Sequence, residues 1–595
     1  MRALLMRSFI KLSETVDRRI GWDKLPAWLG ISVLVGIRDA LREHNLFDSY
    51  EGDPPRPQTQ YSPAEYLTNR TPDGSYNDLS DPSMGMANTR FGRNVAPSKG
   101  RPEQMPHLMD PNPRLISTEL LLRDEFRPAT TLNVLAAAWL QFETHDWFSH
   151  GTDANRIHKI PVPEGDHEWN GATIDVSATP ADPDSAPGHT TFINRETHWW
   201  DASQIYGNSP QAQKLIRTDS DDGKVLIDGD GFIGVAPEVI KASGAADGWW
   251  VGSELMGTIF MREHNAICDR LRAAYPEWTG EQIFNKARLI NAALIAKIHT
   301  VEWTPAILAH PTLHIGMRAN WFGLAGEAVG KLVGRIGTSD LISGIPGSDT
   351  EHHSAAYSIT EDFVTVYRMH PLIPDDYTFL SLAGDTAPQE LSFTDLHGVA
   401  NARGVLKRLG IVDCLYSLGV AHPGAVTLHN SPKFMRQFQS ETHLIDLIAV
   451  DILRSRERGV ARYNEFRRQL RLKPATSFEE ISGGDQATAD RMREIYGGDI
   501  EKVDTMVGMF GEKLPAGFGF SDTAFRIFVL MATRRLKSDR FYTVDFTPQV
   551  YTPEGMAWIA DNTMTSVLLR HYPTLEPVLR NVKNLFAPWP RMSHG

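Results

Sequence analysis

Cysteine is almost absent from this chain: two occur in 595 residues, Cys268 and Cys414, far apart. That scarcity excludes a disulfide framework, and neither thiol has the close partners of a zinc or redox motif. A reducing, cytoplasmic compartment is expected. Long apolar runs are also missing. Residues 25–37, LPAWLGISVLVGI, are uncharged but number 13, short of the roughly 20 that span a bilayer. No basic block offsets a formal charge of −13, which excludes nucleic acid as a partner because such affinity rests on Lys and Arg neutralising phosphates. Alternating strand patterns are scarce, and no repeat recurs at solenoid spacing.

Helical periodicity, by contrast, is abundant. The spacing predicts helices over 130–148, 252–275, 279–303, 442–455 and 522–535. Residues 51–113 carry turn signals such as TPDG, SDPS and DPNP and read as a long irregular arm, and 165–190 as a second loop. Only 224–234 offers short strand candidates. The fold class is therefore mainly α, one large helical domain with long irregular loops. Residues 1–50 read as N-terminal helices, either packed on that domain or lying on a membrane surface, and 51–595 as the catalytic domain.

Six segments could carry chemistry. In QFETHDWFSH, Gln141 and His145 are four apart and share a helix face, while Asp146 points elsewhere. The bland alternative is a hydrogen-bonded core histidine. In THWWDAS, Thr197, Trp199, Asp201 and Ser203 alternate, so an extended loop presents two hydroxyls, a carbonyl and a carboxylate on one side. Joined by Asp146, these hard oxygens suit calcium. In YRMHPLIPD, Tyr367 and His370 lie one helical turn apart, and Pro371 disfavours helix at His370. A histidine so exposed can ligate a haem iron, with a tyrosine near enough to give it an electron.

RYNEFRR carries Asn464, whose side-chain oxygen could accept the second ring N–H of a ligating histidine. TRRLKSDRF supplies Arg534, Arg535 and Arg540, where an arginine turned inward suits a carboxylate. IAKIHTVEWTP places His299 and Thr304 at the end of an apolar helix.

These segments occur in one order, and the chain resembles the fatty-acid alpha-dioxygenases of the animal-type haem peroxidase and cyclooxygenase superfamily. The likeness runs through KLPAWLG, NRTPDGSYNDL, PNPRLIS, QFETHDWF, WWDASQIYG, EHNAICD, AKIHTVEWT, YRMHPLIPD, RYNEFRRQL and RRLKSDRF, from about Lys24 to Phe541. It implies that His145 is the distal haem histidine with Gln141 beside it, His370 the proximal ligand with Asn464 behind it, and Tyr367 the radical-forming residue. It implies calcium at Asp146, Thr197, Trp199, Asp201 and Ser203. His299 and Thr304 match head-group positions, and Arg535, or Arg534 one residue away, would meet the fatty-acid carboxylate.

The expected cofactors are non-covalent haem b and calcium, and the expected substrates a long-chain fatty acid and O2, joined at carbon 2. Two departures bear on this. Thr144 stands where mammalian peroxidases place an acid that esterifies haem, and residues 245–261 contain no arginine to serve as a distal Arg. The first implies haem held without a covalent link, and the second weakens the alternative reading, a peroxidase that oxidises small donors with hydrogen peroxide.

Overall fold

The computed structural model describes all residues except 1, 51–54, 187, 235–239, 241–247, 338, 441–442 and 594–595. Glu51, Thr442 and the stretch 245–247, used above, fall outside the described residues. The elements needed below are α1 (Arg2–Arg19), α2 (Ala27–His44), α3 (Val134–Trp147), β1 (Asp153–Pro161), β2 (Thr173–Ala178), α4 (Val251–Ala274), α5 (Gly280–Ile298), α6 (Pro311–Phe322), α7 (Glu361–Val366), α8 (Leu447–Glu457), α9 (Tyr463–Gln469) and α10 (Asp522–Lys537).

Helix α3 is central because it is apolar on nearly every side. It starts where Asn133 accepts from the Ala136 amide, and only Gln141, Thr144 and His145 among its residues are not fully buried. A helix apolar all round must lie inside other helices, and α3 packs against α4, which packs against α5. Trp139 and Trp147 on α3 are inaccessible to solvent, and burying each such side chain stabilises the fold by about 2–3 kcal/mol. Trp303 ties the next layer down by donating from Nε1 to the Ala136 carbonyl at 2.9 Å.

Helix α5 begins with a capping box formed by Thr279 and Gln282 and does not end as a regular helix. His299–Trp303 form a π turn in which the Thr304 amide donates to the His299 carbonyl. Pairing across five residues sets Thr304 above His299, where an α-helix would turn it away.

Three expectations change. The loop over 165–190 contains β2, which pairs antiparallel with β1; Ile174, Val176 and Ala178 alternate inward, and the first two pack with Ile160 and Leu108. The strand candidates of 224–234 form only isolated bridges, Arg217 with Val225 and Ile227 with Ile233. The helix before His370 ends at Val366, with Tyr367 as its cap, and His370 opens a separate 3-10 turn to Leu372. Tyr367 and His370 are thus not one α-turn apart, as Pro371 bars the α conformation at His370. The N-terminal helices pack on the body: Trp22 is buried against Phe518 and Phe525, and its Nε1 donates to Asp522 at 3.1 Å.

Candidate active site

Gln141, Thr144 and His145 of α3, Tyr367 and His370 line one cavity of about 300 Å3. Its walls are otherwise largely apolar, including Leu140, Leu372, Ile373, Phe393 and Phe434, with no lysine or arginine among the lining residues. An apolar slot between two histidines suits haem, an apolar macrocycle bound through its iron. Gln141 donates to the Gly248 carbonyl at 2.5 Å, and the His145 ring lies parallel to Trp249 with centroids 6.5 Å apart. Burial pushes the His145 imidazole down to about 4, so it is neutral at physiological pH. Thr144 donates to the Gln141 carbonyl at 3.0 Å, a helix contact with no carboxylate to esterify haem.

His370 meets a carboxylate that the sequence reading did not single out. Its Nε2 is 2.9 Å from Oδ2 of Asp451 on α8, and Arg368 donates to the other oxygen at 2.5 Å. Burial alone would raise the Asp451 carboxyl, but Arg368 and then His370 outweigh it and hold it below its ordinary value. Asn464 is engaged elsewhere. Its Oδ1 accepts from the Ala475 amide at 2.8 Å and its Nδ2 donates to Ala475 O and Glu501, locking the chain that follows α9. The expected partner of His370 is corrected accordingly. The available signal was Asp451 itself, a lone acid in LIAVDILRS, because a buried carboxylate needs a cation or donor.

In the cavity wall, Tyr367 is 5% exposed and has no hydrogen-bond partner among the described residues. Its ring stands edge-on to Trp147 at 5.1 Å. Burial, offset in part by Arg535, raises its phenol well above the usual range, so it stays protonated. Trp147 also meets Arg535, whose guanidinium carbon lies 4.2 Å from that ring and 4.6 Å from the ring of Trp200. Arg535 is 2% exposed, and its Nε and Nη2 have no hydrogen-bond partner. Among the described residues no carboxylate pairs with it. Two indoles hold the cation by their faces, leaving donors free for a planar anion.

Arg534, adjacent in sequence, is spent. It donates to the carbonyls of Ala355 at 2.6 Å and Ala356 at 2.9 Å and lies over the Tyr357 ring. The structure therefore separates two arginines that sequence spacing could not.

His299 belongs to the Arg535 side. Its ring is stacked on Trp303 at 4.6 Å and edge-on to Trp147 and Trp200 at 5.5 and 5.0 Å. Trp139 Nε1 donates to His299 Nδ1 at 3.1 Å, which leaves the ring proton on Nε2. Burial, then Arg535, pushes this imidazole far below its ordinary value. Thr304, one π turn on, is fully buried, and its hydroxyl has no partner. A further acid, Glu143, accepts from Trp200 Nε1 at 2.8 Å and braces the indole beneath Arg535. Burial, then Asp146, raises its carboxyl well above the usual range.

On the far face of α3, Asp146 Oδ1 accepts from the amide and hydroxyl of Ser203, at 2.5 and 2.9 Å. Its Oδ2 is buried without a partner. Thr197 donates to Asp201 Oδ1 at 2.9 Å, and Arg288 to Asp201 Oδ2 at 3.0 Å. Trp199, next to these groups in sequence, is fully buried with its ring stacked on Tyr357, so its contribution to a metal shell would be the backbone carbonyl. Burial, then Asp201, pushes the Asp146 carboxyl up to about 7. Two carboxylates, one of them with an orphaned oxygen, two hydroxyls and the Trp199 carbonyl make a hard-donor set of the kind calcium takes. Among the described residues no group of three or more His, Cys, Asp or Glu side chains is placed to hold a metal ion; the set depends on hydroxyl and carbonyl oxygens.

A profile of the animal haem peroxidases matches residues 69–583. The chain is 35% identical to alpha-dioxygenase PIOX of Oryza sativa subsp. japonica, over 96% of this chain and 94% of that one. It is 36% identical to alpha-dioxygenase 2 of Arabidopsis thaliana, over 96% and 92%. A crystal structure of Oryza sativa fatty acid alpha-dioxygenase superposes with a TM-score of 0.90 at 33% identity, over 98% of this chain and 97% of that one. A further crystal structure, of a variant of the rice enzyme with palmitic acid, superposes with a TM-score of 0.89. With the two-histidine cavity, the tyrosine in its wall and near-complete coverage all in agreement, the chain belongs to the animal haem peroxidases and, within them, to the alpha-dioxygenases.

Proposed function

We propose that this protein inserts O2 at carbon 2 of long-chain fatty acids, giving 2-hydroperoxy acids. The observation that carries the substrate class is Arg535, a buried cation with two unpaired donors beside Tyr367 and His299. A buried charge with no partner is costly, and a carboxylate is the anion whose planar geometry fits it. His299, proton on Nε2, would donate to the same carboxylate, and the Thr304 hydroxyl stands one turn away. Fixing the carboxylate selects the carbon beside it for reaction.

His370 would hold haem b without a covalent link, in the cavity that His145 also lines, and the group would supply the oxidising equivalent that turns Tyr367 into a neutral radical, its phenolic proton leaving with the electron. Tyr367 then takes a hydrogen atom from carbon 2. O2 adds to the resulting carbon radical, and the peroxyl radical regains a hydrogen atom from Tyr367, so the tyrosyl radical is restored and the net change is addition of O2. Gln141 would orient His145 through its tie to Gly248. Calcium would sit among Asp146, Thr197, Trp199, Asp201 and Ser203 and fix the end of α3. Among the described residues the cavity lining has no arginine or lysine, which disfavours the peroxidase alternative.

The test is oxygen uptake by haem-loaded protein given palmitate, with the oxygenated carbon located by mass spectrometry. A 2-hydroperoxy or 2-hydroxy product is expected. Tyr367→Phe should keep the haem spectrum and lose uptake; a variant still consuming oxygen with palmitate would remove Tyr367 from its role.

A further inference from the structure

The outer face of the N-terminal helical hairpin has no counterpart in the catalytic reading. Helix α1 carries charges of both signs, sorted by side. Its two acids face the body and are paired: Glu14 with Arg471 at 2.6 Å, and Asp17 with Arg526 at 2.7 Å. Its basic residues Arg7, Lys11, Arg18 and Arg19 are exposed and have no ion-pair partner among the described residues. Large apolar side chains share this exposure. Leu5 is 64% exposed, Leu12 62% and Trp28, at the start of α2, 69%.

Helical spacing puts Leu5 and Leu12 on one edge of the outer face and Arg7, Lys11 and Arg18 on the other. Ile20, exposed just past the end of α1, extends the apolar edge toward Trp28. Among the described residues no helix is long and apolar enough to cross a membrane. A helix presenting exposed leucines beside unpaired basic residues, followed by an exposed tryptophan, has the chemistry of a helix lying in a lipid interface. The protein as a whole carries a formal charge of −13, so an anionic surface is repelled by the molecule at large and attracted by this strip alone.

We infer that the outer face of α1 and the start of α2 dock on an anionic lipid surface, with Leu5, Leu12 and Trp28 inserted and Arg7, Lys11, Arg18 and Arg19 against the headgroups. Against α2 lies a small, mostly apolar cavity lined by Ile31 and Val35 of α2, Gly316 of α6 and Leu341, with Arg38 and Asp340 in its wall, and also by Val529 and Thr533 of α10, the helix that bears Arg535. A surface holding acyl chains would thus meet the protein on the side from which α10 leads to the carboxylate site.

The experiment is flotation of the full chain with phosphatidylcholine vesicles, with and without phosphatidylserine, at low and high salt. Binding is expected only with phosphatidylserine and is weakened by salt. A variant with Arg7, Lys11, Arg18 and Arg19 all changed to Glu should partition roughly 10²- to 10³-fold less. It should retain oxygen uptake with dispersed palmitate, which separates loss of docking from loss of fold. Leu5→Asn with Leu12→Asn should weaken binding without altering its salt dependence. Absence of binding to phosphatidylserine vesicles, or binding unchanged in the charge-reversed variant, would overturn the inference. So would a stable dimer in solution that the Leu5 and Leu12 changes dissociate, because that face would then be covered by a second copy of the chain.

Discussion

Replacing Arg535 by Gln is the most searching perturbation. The guanidinium is buried over two indoles with Nε and Nη2 unpaired, so a bound carboxylate completes an otherwise uncompensated charge. Breaking a buried charge pair costs about 3–5 kcal/mol, and at 1.36 kcal/mol per decade a value near ~4 kcal/mol lowers kcat/KM by about 10³-fold. Most of this should appear in KM, because the carboxylate is held alike before and during hydrogen abstraction. The assay is oxygen uptake against palmitate concentration, repeated with methyl palmitate. The native protein should prefer the acid strongly, and Arg535→Gln should respond to acid and ester alike with an unchanged haem spectrum. A KM for palmitate within about 3-fold of native would refute the assignment. Arg534→Gln is the control: it strands the carbonyls of Ala355 and Ala356, so it should lower Tm and leave the choice between acid and ester intact.

Asp451→Asn removes the charge beside His370. Haem affinity should fall about 10- to 100-fold and the iron–histidine stretching band should shift, whereas Asn464→Ala should lower Tm and leave that band in place; the reverse pattern would restore Asn464 to the proximal side. Calcium bound with ligand at about 100 times Kd would add ~2.7 kcal/mol to stability, so chelation should lower Tm, and Asp146→Asn should abolish that response. Calcium-free protein by elemental analysis, with no response to chelator, would discard the site. His264 and His299 are buried neutral: burial pushes the His264 imidazole down to about 4 from 6.5 in the unfolded chain, and burial, then Arg535, holds the His299 imidazole well below its ordinary value. Above about pH 6.5 they cost nothing. As pH falls from there towards 4, the unfolded chain takes up protons that the native state refuses, and stability drops by up to ~1.4 kcal/mol per histidine per pH unit. Urea unfolding at pH 7 and pH 5 measures this, and His264→Gln should flatten the slope.

Legibility in the sequence followed the range of the interactions. The helices around Trp139, Met256 and Phe528 were readable because an apolar pattern at helical period leaves few alternatives. The hairpin of β1 and β2 was obscured because only three residues of TIDVSA turn inward, between turn-rich segments. Most of the site was legible through the resemblance and its motifs, including His145, His370, Tyr367 and Arg535. Asp451 was not, because its meeting with His370 joins residues distant in sequence. The choice between Arg534 and Arg535 likewise needed the fold, since adjacent residues on a helix differ only in which side they face. Glu143 lay within the quoted QFETHDWF, yet its role depends on Trp200, from another segment.

The π turn at His299–Trp303 carries a consequence for descent and design. Because Thr304 and His299 are brought together by a widened turn, their spacing is set by how many residues the turn contains as much as by which residues they are. Loss of a single residue between them would return the backbone to an ordinary helix and would swing one of these two side chains away from the other. A chain could therefore keep every residue type at this site and still lose its grip on the substrate, through a change that a comparison of residue identities alone would pass over.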